Sequence, residues 1–253
     1  MDHVRSRPLL AHVLGASLLV LGSLLAGFFV GSEKLVDAAL FQVLFVLGCL
    51  FGAVALLLGF RTYLLKGKRS LLCILNAYVS FVVLSPFIVA APDLNSRYAA
   101  LALAVLVSSL AAACIFRAEK VIPNGGRLRS FGSWLTGILL LAILFYYVAW
   151  TMPGLIPQMM EGGVPSLLFR ALIALGGIAL FCVAWRYEAL YETSGEIVLV
   201  YLSSANILFG GACVMMALSG VYPDTWFFLS LLLEFGAFFL ALVGFMSVYL
   251  SMD

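Results

Sequence analysis

The sequence predicts an all-α fold, a polytopic transmembrane helical bundle of about eight spans, and three observations carry that prediction. Apolar runs of roughly 20 residues recur along the chain, each long enough to cross a hydrocarbon core of about 30 Å as a helix. The chain is 64% hydrophobic and 10% charged, with a mean hydropathy of +1.16, where a soluble domain carries about 25% charge. The breaks between runs are short and rich in Gly, Pro, Asp and basic residues, which stop helices and start them.

The first run follows a basic start, "RSRPLLAHVLG", as a secretion signal would. Its apolar stretch extends from about Pro8 to Val30, too long for a signal core, so it is read as a retained span at 8–31. Span 2, 38–60, carries Gly48 and Gly52, a GxxxG pair suited to close helix approach. Span 3 follows the basic turn "RTYLLKGKRS" at 70–91 and ends at Pro92-Asp93; span 4 lies at 98–116. The loop "RAEKVIPNGGRLRS" lacks a GK[ST] after its glycines, so it is no phosphate loop, and its basic residues fit contact with anionic lipids. Spans 5 and 6 fall at 132–152 and 166–186. Arg170, one turn into span 6, is expected to snorkel to the interface or to meet Glu161. Span 7 is 196–219, and "GVYPDT" sets off span 8 at 225–250, with Asp224 or Thr225 as its N-cap.

Orientation follows from the basic residues. Arg5, Arg7, Arg61, Lys66, Lys68, Arg69, Arg117, Lys120, Arg127, Arg129 and Arg186 fall on one side, and only Lys34, Arg97 and Arg170 on the other, an 11-to-3 split. The first side is therefore expected to be cytoplasmic, with both termini there. Trp226, Trp150 and Tyr98 are then expected near the outer boundary as interfacial anchors.

The chain reads as a single membrane domain, 1–253, with a weak internal repeat. Residues 61–93 and 186–224 each leave a helix at Arg and turn at a glycine, Gly67 or Gly195. Each then carries Ala and Phe in matched places (Ala77 and Phe81; Ala205 and Phe209) and ends at Pro-Asp. Repeat halves of 1–116 and 132–253 would be parallel four-helix units related by an axis along the membrane normal.

Glu234 is the acid that the apolar pattern does not explain, sitting inside "LSLLLEFGAFFLALVG". Starting span 8 near Thr225 puts it roughly 13 Å deep at about 1.5 Å per residue, close to the midplane. At that depth it is expected to be protonated at neutral pH and hydrogen-bonded to Asn206 or Ser203 of span 7. One reading is a packing contact between helices, the other a proton or cation site. Leu106 is read as its counterpart in the first half, so any site is asymmetric.

Asn76, Gln42 and Ser80 are expected to make single helix-helix hydrogen bonds, and Glu188, Glu192 and Glu196 form an acidic stripe at four-residue spacing. That stripe is either a solvated face or a docking surface for a basic partner. Phe227, Phe228, Phe235, Phe238 and Phe239 cannot all face one helix stripe, so some should meet lipid or another subunit. The five cysteines lie in apolar runs without CxxC spacing, and the two histidines, His3 and His12, are both N-terminal. No metal site, haem or other cofactor is expected, and no Ser/His/Asp, Cys/His or paired-carboxylate set suggests an enzyme. A net charge of +2, spread over short loops, gives no reason to expect nucleic acid. The expected activity is that of a non-catalytic membrane subunit, sensor or scaffold that docks lipids, partner proteins or a second copy of itself. The alternative is a small transporter or channel using Glu234.

Overall fold

The computed structural model describes residues 2–30, 38–117, 119–220 and 224–250. It is a bundle of eight helices, each long and apolar enough to cross a bilayer: α1 (Asp2–Val30), α2 (Ala38–Lys66), α3 (Arg69–Ala90), α4 (Leu94–Ala113), α5 (Asn124–Thr151), α6 (Leu167–Ser194), α7 (Ile197–Leu218) and α8 (Thr225–Leu250). Short 3-10 turns follow α4 and α5, and a two-residue hairpin (Met160–Glu161 with Val164–Pro165) precedes α6.

Four helices outrun their predicted spans at the basic end. Helices α1 and α5 start earlier, and α2 and α6 continue through the charged segments to Lys66 and Ser194. Hydropathy marks where the hydrocarbon stops, whereas a helix stops where its backbone turns. For α2 and α6 that turn is a left-handed glycine: Gly67 at φ 65° and Gly195 at φ 70°, a conformation that costs glycine nothing. The amide of Gly67 donates to the Tyr63 carbonyl at 2.7 Å, and that of Gly195 to the Tyr191 carbonyl at 2.7 Å, closing both helices in the same way.

Helix starts are matched as well. Asp93 caps α4 by accepting from the Ser96 amide at 2.9 Å. Asp224 caps α8 by accepting from the Phe227 amide at 2.9 Å. Of the two residues expected at this cap, Asp224 is the one that acts.

The helix pairings repeat when the first four helices are exchanged for the last four. Helix α3 packs on α4 as α7 packs on α8, and α2 on α3 as α6 on α7. Crosswise, α1 lies on α7 as α5 lies on α3, and α2 on α8 as α6 on α4. Each half thus lends its first two helices to the other half. Small residues make the close approaches possible. A Cβ added at Gly177 would lie 3.1 Å from the Gly210 carbonyl oxygen of α7, and one at Gly244 would lie 2.7 Å from Tyr201 Cβ.

The centre is aromatic. Phe209 meets Phe238 edge-on at 5.0 Å, and Tyr78 and Phe81 pack on Phe238 at 5.5 and 6.1 Å. Phe81 and Phe209, at the same distance in sequence beyond Gly67 and Gly195, face each other with centroids 5.9 Å apart. Helices α1 and α5 lie at the rim and have the smallest buried share of the eight spans among the described residues.

Candidate functional site

Glu234 is 2% exposed, and its Oε1 has no hydrogen-bond partner. Its place along α8, which starts at Thr225, is as expected from the sequence, but its surroundings are not. The carboxyl faces α2, where Oε1 lies 3.9 Å from the point a Cβ on Gly48 would occupy, and it is within electrostatic reach of Cys49 and Cys213. The two other residues expected beside it are engaged elsewhere. Ser203 donates to Glu188 Oε1 on α6 at 3.0 Å. Asn206 donates from Nδ2 to the Leu202 carbonyl of its own helix at 2.7 Å, leaving Oδ1 unpartnered. The expected cluster of Glu234, Asn206 and Ser203 therefore does not form. Residues three apart on a helix diverge by about 60°, and here that angle sends Ser203 to α6 and Asn206 to a cavity against α3 and α4.

The Gly48 and Gly52 pair also differs from its expected use. Instead of a close backbone crossing it receives α8 side chains: Phe235 lies over Gly48 and Phe238 over Gly52. The α8 phenylalanines divide as their spacing requires. Phe227 and Phe238 are buried, Phe228 and Phe235 are partly covered, and Phe239 is 56% exposed. Trp226 and Tyr98 are core residues, not interfacial anchors: Trp226 packs edge-on to Phe28 at 5.1 Å, and Tyr98 against Phe169 at 4.7 Å. Trp150 is exposed.

The three acids of the supposed stripe have three different roles. Helix α6 ends at Ser194, so Glu196 lies beyond the Gly195 turn and precedes α7. There it bridges Lys66 (2.9 Å) and Lys68 (2.8 Å). Glu188 is half-covered and bonded to Ser203, and only Glu192 is exposed. No shared acidic face remains for a basic partner. Lys68 follows Gly67 as Glu196 follows Gly195, so the paired charges stand at equivalent points of the two halves.

Burial alone would raise the Glu196 carboxyl, but hydrogen bonds and charge from Lys68 and Lys66 outweigh it and hold the group below its ordinary value of 4.5. A depressed acid contributes stability that is present at neutral pH and lost as pH falls through the folded-state value. Wild-type protein in detergent is therefore expected to lose thermal stability more steeply below pH 4.5 than Glu196→Gln, and parallel pH profiles would refute the clamp.

In the loop read as lipid-facing, Arg117, Lys120 and Arg129 are exposed, whereas Arg127 is taken up by the protein itself. Arg127 donates to the Leu64 and Leu65 carbonyls at the end of α2 and to Ile122 O, satisfying acceptors that helix geometry leaves open. Glu119 accepts from the Ser70 amide and hydroxyl. Arg170 neither reaches Glu161 nor snorkels freely; it donates to Pro165 O and Ser219 O, tying the start of α6 to the end of α7. Ser80 does join two helices, accepting from Trp134 Nε1 of α5 at 3.0 Å. Asn76 takes part through its backbone carbonyl, 3.1 Å from the same nitrogen. The side chain of Gln42 lies outside the described residues.

A cavity of about 30 Å³ lies between α3, α4, α6 and α7. Sequence reasoning missed it. Tyr78, Ser108 and Asn206 line it, and Tyr78 OH, Ser108 Oγ and Asn206 Oδ1 are all buried without a partner. Tyr78 and Asn206 stand at the same distance in sequence beyond Gly67 and Gly195, a correspondence that two dissimilar side chains conceal. The matched caps Asp93 and Asp224 likewise make Leu103, not Leu106, the counterpart of Glu234.

No known family matches this chain. No curated protein or solved structure shows significant similarity to it either. The functional reading rests on its own residues.

Proposed function

We propose that the chain is a non-catalytic integral membrane subunit, a sensor or scaffold that docks lipids or partner proteins through its lipid-facing helices. The observation that carries this reading is the aromatic cluster at the centre. Tyr78, Phe81, Phe209 and Phe238 pack ring against ring where α3 meets α7 and α8, which supports a contact between the halves in place of an open path. The apolar surface is instead directed outward, with Leu18, Leu19 and Phe29 of α1 and Leu140, Ile143 and Leu144 of α5 all exposed. Purified protein in liposomes is expected to pass neither protons nor monovalent cations. A flux that Glu234→Gln abolishes would overturn the reading and favour a transporter, the second reading, whose support is the unpartnered Glu234 Oε1.

Two further parts belong to the proposal. The 11-to-3 distribution of basic residues supports cytoplasmic termini. A cysteine introduced at 160–163 is expected to react with an impermeant external reagent and one at 123–126 to be shielded; the reverse pattern would invert the topology. The matched glycine turns, aspartate caps and crosswise helix pairings support descent from a duplicated four-helix unit.

A further inference from the structure

We propose that the cavity between α3, α4, α6 and α7 is a hydration site in which water joins the two halves of the bundle through Tyr78, Ser108 and Asn206. The three side chains are 3%, 8% and 1% exposed. Each presents an oxygen without a protein partner, and all three line the same cavity. An unpaired polar group in a buried site is destabilising, and three around one void make an unfavourable arrangement unless something bridges them. The Leu202 carbonyl fixes the amide of Asn206: Nδ2 must face that acceptor, so Oδ1 is the atom left to accept.

Size and chemistry select the occupant. A cavity of about 30 Å³ exceeds the roughly 10–15 Å³ that one water needs on the same measure, and water requires two to four polar partners. A water here accepts from Tyr78 OH and donates to Asn206 Oδ1 and Ser108 Oγ, which uses every unpartnered oxygen. The rest of the lining is hydrocarbon, aromatic rings and Cys213, with no charge to favour an ion. Tyr78 and Ser108 belong to the first four helices and Asn206 to the last four. The water is thus a contact between halves that neither supplies alone.

The sign of two substitutions tests this. With water in place, Ser108→Val and Tyr78→Phe each remove a partner and lower the melting temperature in detergent. The double variant then falls by less than the sum, because the first change already displaces the water. In a dry cavity both substitutions delete an unsatisfied hydroxyl and the melting temperature rises, which would overturn the proposal. A second measurement avoids variants altogether. Hydroxyl-radical footprinting of wild-type protein in nanodiscs is expected to modify Tyr78 despite its burial. Tyr187, equally buried but bonded to Ser70 O at 2.9 Å, serves as the protected control. Protection of Tyr78 equal to that of Tyr187 would show that no water reaches the site.

Discussion

Asp224→Ala is expected to destabilise the protein more than any other single change at a helix terminus, and clearly more than Asp93→Ala. Asp224 accepts from three donors: Phe227 N at 2.9 Å, Ser219 Oγ at 3.0 Å and Gly220 N at 2.7 Å. It is buried, so water cannot replace the lost acceptor. Losing a cap costs about 0.5–2 kcal/mol, and orphaned buried donors add about 1–3 kcal/mol, for a total of about 1.5–5 kcal/mol. The Asp93 side chain accepts from the Ser96 amide and hydroxyl and is exposed, so its removal should cost about 1 kcal/mol. Asp224→Asn should rescue only in part, since one amide group would face an N–H donor with its own. Thermal melts of the three variants in detergent check the order; equal losses at the two caps would contradict it.

Glu234→Leu is expected to leave stability unchanged or raise it, by up to about 1–3 kcal/mol. The sequence pictured a carboxyl bonded to Asn206 or Ser203, for which leucine would be a modest loss. With Oε1 unpartnered among Gly48, Phe235 and the thiols of α2 and α7, the substitution removes a desolvated oxygen and keeps the volume. A marked fall in melting temperature would mean that the carboxyl holds something in the membrane. The infrared difference between wild type and Glu234→Gln is expected to contain the stretch of a neutral carboxyl. A carboxylate band would contradict this.

The number and order of helices were legible because a bilayer imposes a length on every span. The partners of Glu234 were not. Hydropathy reports depth, but in an apolar helix no polar face reports which way a residue points. Ser203 and Asn206 lie about one turn apart on α7 and serve different neighbours. Glu188 and Glu196 looked alike because spacing was measured along one imagined helix, whereas Gly195 ends it between them. The proposed repeat was visible in Gly67, Gly195 and the Pro-Asp pairs, residues that backbone geometry restricts. It was invisible at Tyr78 and Asn206, where geometry permits any side chain that fits.

The contact between Lys68 and Glu196 bears on how such a molecule acquires individuality. If two identical chains had met at this point, each position would have faced its own copy, and like would have repelled like. On the proposed descent from a duplicated unit, both copies are encoded in one polypeptide, equivalent positions mutate separately, and a cation can be set against an anion between them. The same freedom allows one buried carboxyl, at Glu234, with leucine at its counterpart, Leu103. A symmetric pair of chains would have had to bury two such acids or none.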